Sequence, residues 1–299
     1  MFNLPLYMQE ACQPATMRLA ANAKKASAYS KAASHFSIQQ LIHGNMSEQK
    51  NQPVRGDIGM DQFEYRHICG VPSLVLHPSS PPEGIVVLYH GWGSTMESYK
   101  FFASLIANWN RTVIIPELPR HGERGSLDYK DAVTLQANFW PIVIQGVEEA
   151  TEIVTELSHT NEAPITVIGH STGGFIAGGT YARHHNVRSA VVINGSCAWV
   201  KFEELYREKL GFAPMEAKDI ETLQSYDPFS FHQPSSDRRL LLLHCEKDSS
   251  VPIDSQRYFM QERSTQEDDQ IRLIEFAGVD HQITLSMLQK IKEFLDTNH

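Results

Sequence analysis

Cysteine is scarce in this 299-residue sequence: Cys12, Cys69, Cys197 and Cys245 are scattered, with no C-x-x-C among them. That excludes a disulfide-stapled scaffold and a thiolate zinc site, and it fits reduced thiols in a cytoplasmic protein. The 14 histidines contain no H-x-x-x-H or H-E-x-x-H pair, so no metal is expected. Positive charge is also short: 26 Lys plus Arg against 35 Asp plus Glu give a net charge of −9. This balance speaks against a nucleic-acid-binding surface. Nothing near Met1 looks like a signal peptide, because the apolar octet Met1–Met8 has neither a basic flank nor a small-residue cleavage site. Long apolar runs are missing too. Residues 163–182 carry no Asp, Glu, Lys or Arg, but their five glycines and three threonines suit a strand, tight turn and helix better than a membrane span. The expectation is a soluble, cytoplasmic protein.

What is present is ordinary globular material, 41% hydrophobic and 20% charged, enough to bury a sizeable core. The chain divides by composition near residue 55. Residues 11–47 hold four basic residues (Arg18, Lys24, Lys25 and Lys31) and no acidic one, so the remainder, with 22 basic against 35 acidic residues, carries −13. Pro14 suits a first helical turn, and Leu19, Ala23, Ala26, Ala33 and Phe36 fall near one helical face. Ile38, Leu41 and Ile42 run into Gly44, a helix stop, and 45–59 reads as a linker. The expected organisation is a helical arm and linker over 1–55 and one domain over 56–299. The arm would pack on that domain or on a second copy of the chain, as in a homodimer. Two minor readings are a transit peptide and a lipid-surface anchor. The mostly Ala face offers lipid little area to bury.

From Phe63 onward short apolar strands alternate with helical stretches. Phe63–Ile68 and Ser73–Leu76 read as a leading hairpin turning around Gly70 and Pro72. Ile85–Tyr89, Thr112–Ile115, Ile165–Ile168, Ala190–Ile193, Leu240–His244 and Ile271–Phe276 follow, several of them continuous Val/Ile/Leu runs suited to burial on both faces. Tyr99–Asn108, Pro141–Leu157 and Phe175–His184 read as helices between them. The alternation predicts an α/β fold, a mostly parallel sheet with helices on both faces.

In such sheets ligands bind at the carboxyl ends of strands, so the residues after each strand matter most. Ile165–Ile168 runs into Gly169-His170-Ser171-Thr172-Gly173-Gly174 and then a helix, which is G-x-S-x-G in the strand–turn–helix setting of a nucleophile elbow. The helix N-terminus favours the negative charge that develops there. After Ile85–Tyr89, the loop His90-Gly91-Trp92-Gly93-Ser94 can aim the Trp92 amide at the same point; with the Thr172 amide it would form an oxyanion hole. After Leu240–His244 comes Asp248, and after Ile271–Phe276 comes His281. Asp254 and Asp280 compete for the acid role, and His244 and His299 for the base, but Asp248 and His281 occupy the better-placed loops. His170 would pack beside the nucleophile or touch substrate. His121 and Arg124 follow the Thr112–Ile115 strand, either as a substrate-contacting or loop-ordering pair or as a corner hydrogen-bonded to Glu117 or Glu123.

These motifs make the chain from about Asp61 to the end, roughly four-fifths of its length, resemble an α/β-hydrolase. Within that superfamily it resembles the small serine esterases grouped with dienelactone hydrolases and the catalytic domains of prolyl oligopeptidase-like enzymes. The likeness rests on His90-Gly91-Trp92-Gly93, Pro119-Arg120-His121-Gly122-Glu123-Arg124, the Ser171 elbow, Asp248 with Val251-Pro252, and Gly278 with His281. Cys245 departs from the Gly often found before the acid segment. The resemblance implies a Ser171–His281–Asp248 triad and an acyl-enzyme, with no metal or organic cofactor. The implied substrate is a small-molecule ester or thioester of small to medium acyl size. The same triad also serves acyltransferases and amidases, and the fold occurs in non-catalytic binding proteins. A small lid-like insertion at about 196–236 brings Trp199, Phe202, Tyr206, Phe212, Tyr226, Phe229 and Phe231, some to bury on the core and others to line a pocket.

Overall fold

Strands that read as apolar runs do so because helices cover them on both sides. The computed structural model describes residues 62–231, 237–263 and 270–297. The expected arm and linker over 1–55 lie outside these residues, as does His299. Eight described strands form one sheet: β1 (Glu64–Ile68), β2 (Val71–Leu76), β3 (Gly84–Tyr89), β4 (Arg111–Pro116), β5 (Ile165–His170), β6 (Val187–Ile193), β7 (Arg239–Cys245) and β8 (Ile271–Phe276). Their order is β1-β2-β4-β3-β5-β6-β7-β8, with β2 antiparallel to β1 and β4 and all other neighbours parallel.

The helices are α1 (Lys100–Asn108), α2 (Ala132–Thr160), α3 (Thr172–Arg183), α4 (Trp199–Leu210), α5 (Ala217–Gln224), α6 (Pro228–Phe231), α7 (Asp254–Arg263) and α8 (Leu285–Asp296). Side-chain alternation along the strands feeds two cores. Val87 and Val167 meet Val147, Phe175 and Phe259 on one side of the sheet; Val86 and Leu88 meet Ile106, Met287 and Ile291 on the other. Among the described residues no helix is long and apolar enough to cross a membrane.

Two details differ from the sequence reading. The leading hairpin turns at Cys69 and Gly70, both left-handed at φ 51° and 78°, while Pro72 lies inside β2 opposite His67. A two-residue turn with two positive φ values matches the twist of its strands, so the turn needs no proline. Helix α2 begins nine residues before Pro141. Asp131 caps it, accepting the Thr134 amide at 2.8 Å, and Asn138 donates to the Thr134 carbonyl at 2.7 Å. A strong N-cap and a long buried stripe outweigh the one helical bond that Pro141 removes.

Of the aromatics between β6 and β7, Trp199 and Phe202 are buried with Phe139, Trp140 and Phe175 in a ring cluster under α4. Phe231 is exposed and lies beside Arg183.

Candidate active site

At the carboxyl end of β5, Ser171 holds φ 56° and ψ −122°, a region that L-residues rarely occupy. Main-chain bonds impose it. The Ser171 amide donates to the Ile193 carbonyl at 2.9 Å, and its own carbonyl accepts from the Gly174 and Phe175 amides at 2.8 and 3.2 Å. Both flanking glycines are sterically required. A Cβ on Gly169 would stand 1.8 Å from the Gly173 carbonyl oxygen, and one on Gly173 would stand 2.3 Å from the Tyr89 carbonyl oxygen. Since only backbone could yield, Gly169→Ala is expected to cost about 3 kcal/mol or more of stability, read as a large fall in Tm.

The candidate acid and base come from the ends of the last two strands, β7 and β8. Asp248 follows β7, and one of its oxygens, Oδ1, accepts the Ser250 and Val251 amides at 2.9 and 2.7 Å. The other, Oδ2, accepts from His281 Nδ1 at 2.7 Å. The carboxylate is fully buried and the imidazole 10% exposed, so the contact is dry. His281 Nε2 and Ser171 Oγ make no hydrogen bond with a described residue. The competing Asp280 does different work. Its oxygens accept the Ser249 amide at 2.8 Å, the His281 amide at 2.7 Å and the Ser249 hydroxyl at 3.1 Å, tying the acid loop to the base loop. Asp254 opens α7 and pairs with Arg257. His244 points Nε2 at the Val251 carbonyl at 2.9 Å and stands 3.6 Å from Asp248.

The loop after β3 passes over the elbow, where a Cβ on Gly91 would lie 3.3 Å from Ser171 Cβ. The Trp92 and Thr172 amides donate to no described residue, whereas the Gly93 amide donates to His121 Nε2 at 2.9 Å. Beneath the loop, His90 Nε2 meets the buried Glu117 at 3.0 Å.

His170 is partly exposed, but its Nε2 is shut off from solvent without a partner. Its Nδ1 bonds the Tyr99 hydroxyl at 2.9 Å, and its ring centroid lies 5.1 Å from that of His281. Burial holds this imidazole well below the usual histidine range, and His281 and His244 push the same way. A neutral His170 therefore puts no second charge beside His281. His121 is buried with both ring nitrogens occupied. Arg124 grips Glu149 of α2 through two bonds at 2.8 and 2.5 Å and reaches the Glu117 carbonyl, so its carboxylate partner is neither Glu117 nor Glu123. Glu123 instead meets the Tyr65 hydroxyl of β1.

Two residues of this region escaped the sequence reading. Asn194, just past β6 at φ 49°, accepts the Cys245 amide at 2.9 Å and donates to the Gln282 carbonyl at 3.0 Å, joining the ends of β6 and β7 to the base loop. Its place directly after a buried strand was a usable signal. Tyr99 lies inside a helical pattern with nothing to mark its hydroxyl. Cys245 packs its thiol toward the same Gln282 carbonyl at 3.4 Å. A cavity of about 560 Å³ lined by Ala163, Pro164, His185 and Arg238 sits at the opposite, amino ends of the strands. Among the described residues no group of three or more His, Cys, Asp or Glu side chains could hold a metal ion.

Comparison with known proteins bears on the fold and the family. The esterase YjfP of Escherichia coli K12 is 29% identical over 247 residues, spanning 79% of this chain and 98% of its own. Among solved structures, TT1662 from Thermus thermophilus superposes with a TM-score of 0.66 at 21% identity, over 78% of this chain and 96% of that one. Esterase 2 of Thermogutta terrifontis, phosphoramylated by tabun, gives 0.55 at 16% identity over 79% and 93%. The sequence model of the alpha/beta hydrolase family matches residues 85–240, more than half the chain and the part that carries β3 through the start of β7. The mostly parallel sheet, the elbow after β5 and this match together establish that the chain belongs to the alpha/beta hydrolase family.

Proposed function

We propose that this protein is a serine hydrolase that cleaves carboxylic esters of small to medium acyl groups through Ser171, His281 and Asp248. The observation that carries the reading is the strained Ser171 elbow at the end of β5, with the 2.7 Å His281–Asp248 contact at the same edge of the sheet, beyond β7 and β8. His281 Nδ1 is committed to Asp248, so Nε2 is the nitrogen left to take the Ser171 proton. Ser171 Oγ then adds to the ester carbonyl, and the oxyanion accepts from the Trp92 and Thr172 amides. Collapse expels the alcohol with the proton from His281. Water, deprotonated by His281 in turn, releases the acid and restores Ser171. The Ser171–His281 hydrogen bond forms when substrate fills the site, as is common for catalytic contacts that are loose in the free enzyme.

Short acyl groups fit best because the aromatics between β6 and β7 go largely to the core. Trp199 and Phe202 are 0% and 4% exposed and leave little apolar surface to enclose a long chain. The esterase name of YjfP supports the substrate class.

The test is a series of p-nitrophenyl acetate, butyrate, octanoate and palmitate. Rates are expected to fall beyond butyrate, and a rate that rises toward palmitate would overturn the size assignment. Absence of hydrolysis on all four, with turnover of amides or of an ester in the presence of an added alcohol or amine acceptor, would replace ester hydrolysis by amide cleavage or acyl transfer. A fluorophosphonate should label the protein at Ser171, by the same chemistry that phosphoramylates the Thermogutta esterase.

A further inference from the structure

Each amide of the loop after β3 that could compete for the oxyanion has a specific neighbour. The Gly91 amide sits beside the Tyr99 hydroxyl, and the Gly93 amide donates to His121 Nε2 at 2.9 Å. Trp92, between them, keeps its amide free of described partners. The indole is fixed as well, Nε1 donating to the Tyr129 carbonyl at 3.0 Å.

His121 can accept the Gly93 amide only with a bare Nε2, and its other nitrogen enforces that state. Nδ1 lies 2.9 Å from the Pro119 carbonyl, which can only accept, so the proton belongs on Nδ1. The ring is stacked on Tyr129, with centroids 4.6 Å apart at 26°, and stands edge-on to Trp92 and His90. Tyr129 in turn donates its hydroxyl to the Arg120 carbonyl at 2.6 Å, and its Cβ would be 3.0 Å from any Cβ placed on Gly93. Residues 119–129 therefore close over residues 91–93 as a clamp. Burial lowers the His121 pKa to about 4, so the acceptor persists throughout the neutral range.

We infer that His121 is a positioning residue: neutral, protonated on Nδ1, it captures the Gly93 amide and thereby holds the Trp92 amide on the oxyanion of the bound substrate. It touches no substrate itself, because both ring nitrogens face the protein and the side chain is buried. The inference rests on the proposed role of Ser171, and it assigns the loop between β4 and α2 the task of preorganising the site. Preorganised donors act on the transition state more than on the bound ester, so losing the clamp should lower kcat and leave KM nearly alone.

The experiment compares His121→Phe, which keeps a stacking ring but no acceptor, with His121→Gln, whose Oε1 can replace Nε2. Both are assayed on p-nitrophenyl butyrate with Ser171→Ala alongside. Each is also titrated with a trifluoromethyl ketone, whose carbonyl accepts Ser171 Oγ to give a hemiketal oxyanion while His281 takes the proton. His121→Phe is expected to lose about 10- to 100-fold in kcat with KM within threefold, below the full loss of an oxyanion donor. Its ketone affinity should weaken by the same factor, and His121→Gln should stay within fivefold of the parent. The idea is overturned if His121→Phe keeps the parent kcat, if the loss falls on KM, or if Gln does no better than Phe. Nitrogen NMR of the histidines in the parent protein tests it without any variant. Nδ1 protonated and Nε2 bare between pH 6 and 8 supports the clamp; a proton on Nε2 in that range overturns it. Parent-like turnover in Ser171→Ala would fault the nucleophile assignment and would be seen separately.

Discussion

Ser171→Ala is expected to lower kcat on p-nitrophenyl butyrate by about 10⁴- to 10⁶-fold while leaving Tm within a few degrees of the parent. The two halves of this expectation have separate causes. The elbow is held by the Ser171 amide and carbonyl, which the substitution keeps, and by Gly169 and Gly173, which it does not touch. Ser171 Oγ bonds no described residue, so its loss leaves no buried partner stranded. The chemistry has no substitute nucleophile at that point, because His170 faces Tyr99 and the Thr172 hydroxyl is buried. Residual turnover should reflect only the oxyanion donors and binding. Turnover close to the parent value in purified, folded Ser171→Ala protein would remove Ser171 from the mechanism.

Asp248→Asn should cost about 10⁴-fold in kcat with the fold intact. An asparagine can keep its oxygen on the Ser250 and Val251 amides, which presently bond Oδ1 at 2.9 and 2.7 Å. That choice turns the NH₂ toward His281 Nδ1, donor against donor. The imidazole then moves its proton to Nε2 and presents Ser171 with a donor where a base is needed. Asp248→Ala is the poorer experiment, since it strands two amides and mixes lost stability with lost chemistry. Asp280→Asn serves as the control. If it loses more activity than Asp248→Asn, the acid role passes to Asp280, which already accepts the His281 amide at 2.7 Å.

The strands were legible because most are buried on both faces. Ile85–Tyr89 and Leu240–His244 are runs that a half-exposed strand would not show. The elbow was legible because its two glycines and its serine answer one steric problem, and Asp248 and His281 because they stand where strands end. What stayed hidden depends on partners distant in sequence. Substrate contact, loop ordering and a corner hydrogen bond stayed open for His121 until its acceptor role toward Gly93 was visible, and Arg124 pairs with Glu149, well inside α2. Asn194 and Tyr99 carry no motif, since one serves main chain of other elements and the other the His170 ring, and neither partner lies near in sequence. The start of α2 was hidden by Pro141, which reads as a beginning and is an interior residue.

The sheet order also governs how the enzyme comes into being. The candidate nucleophile strand pairs with β3, Ile85 opposite Ile165, and with β6, while the candidate acid and base follow β7 and β8. Every one of these pairings closes a long stretch of chain before it gains a contact, and parallel neighbours cannot form as a local hairpin. A nascent or refolding chain therefore gains turnover late and all at once, when the final two strands dock on an already assembled centre.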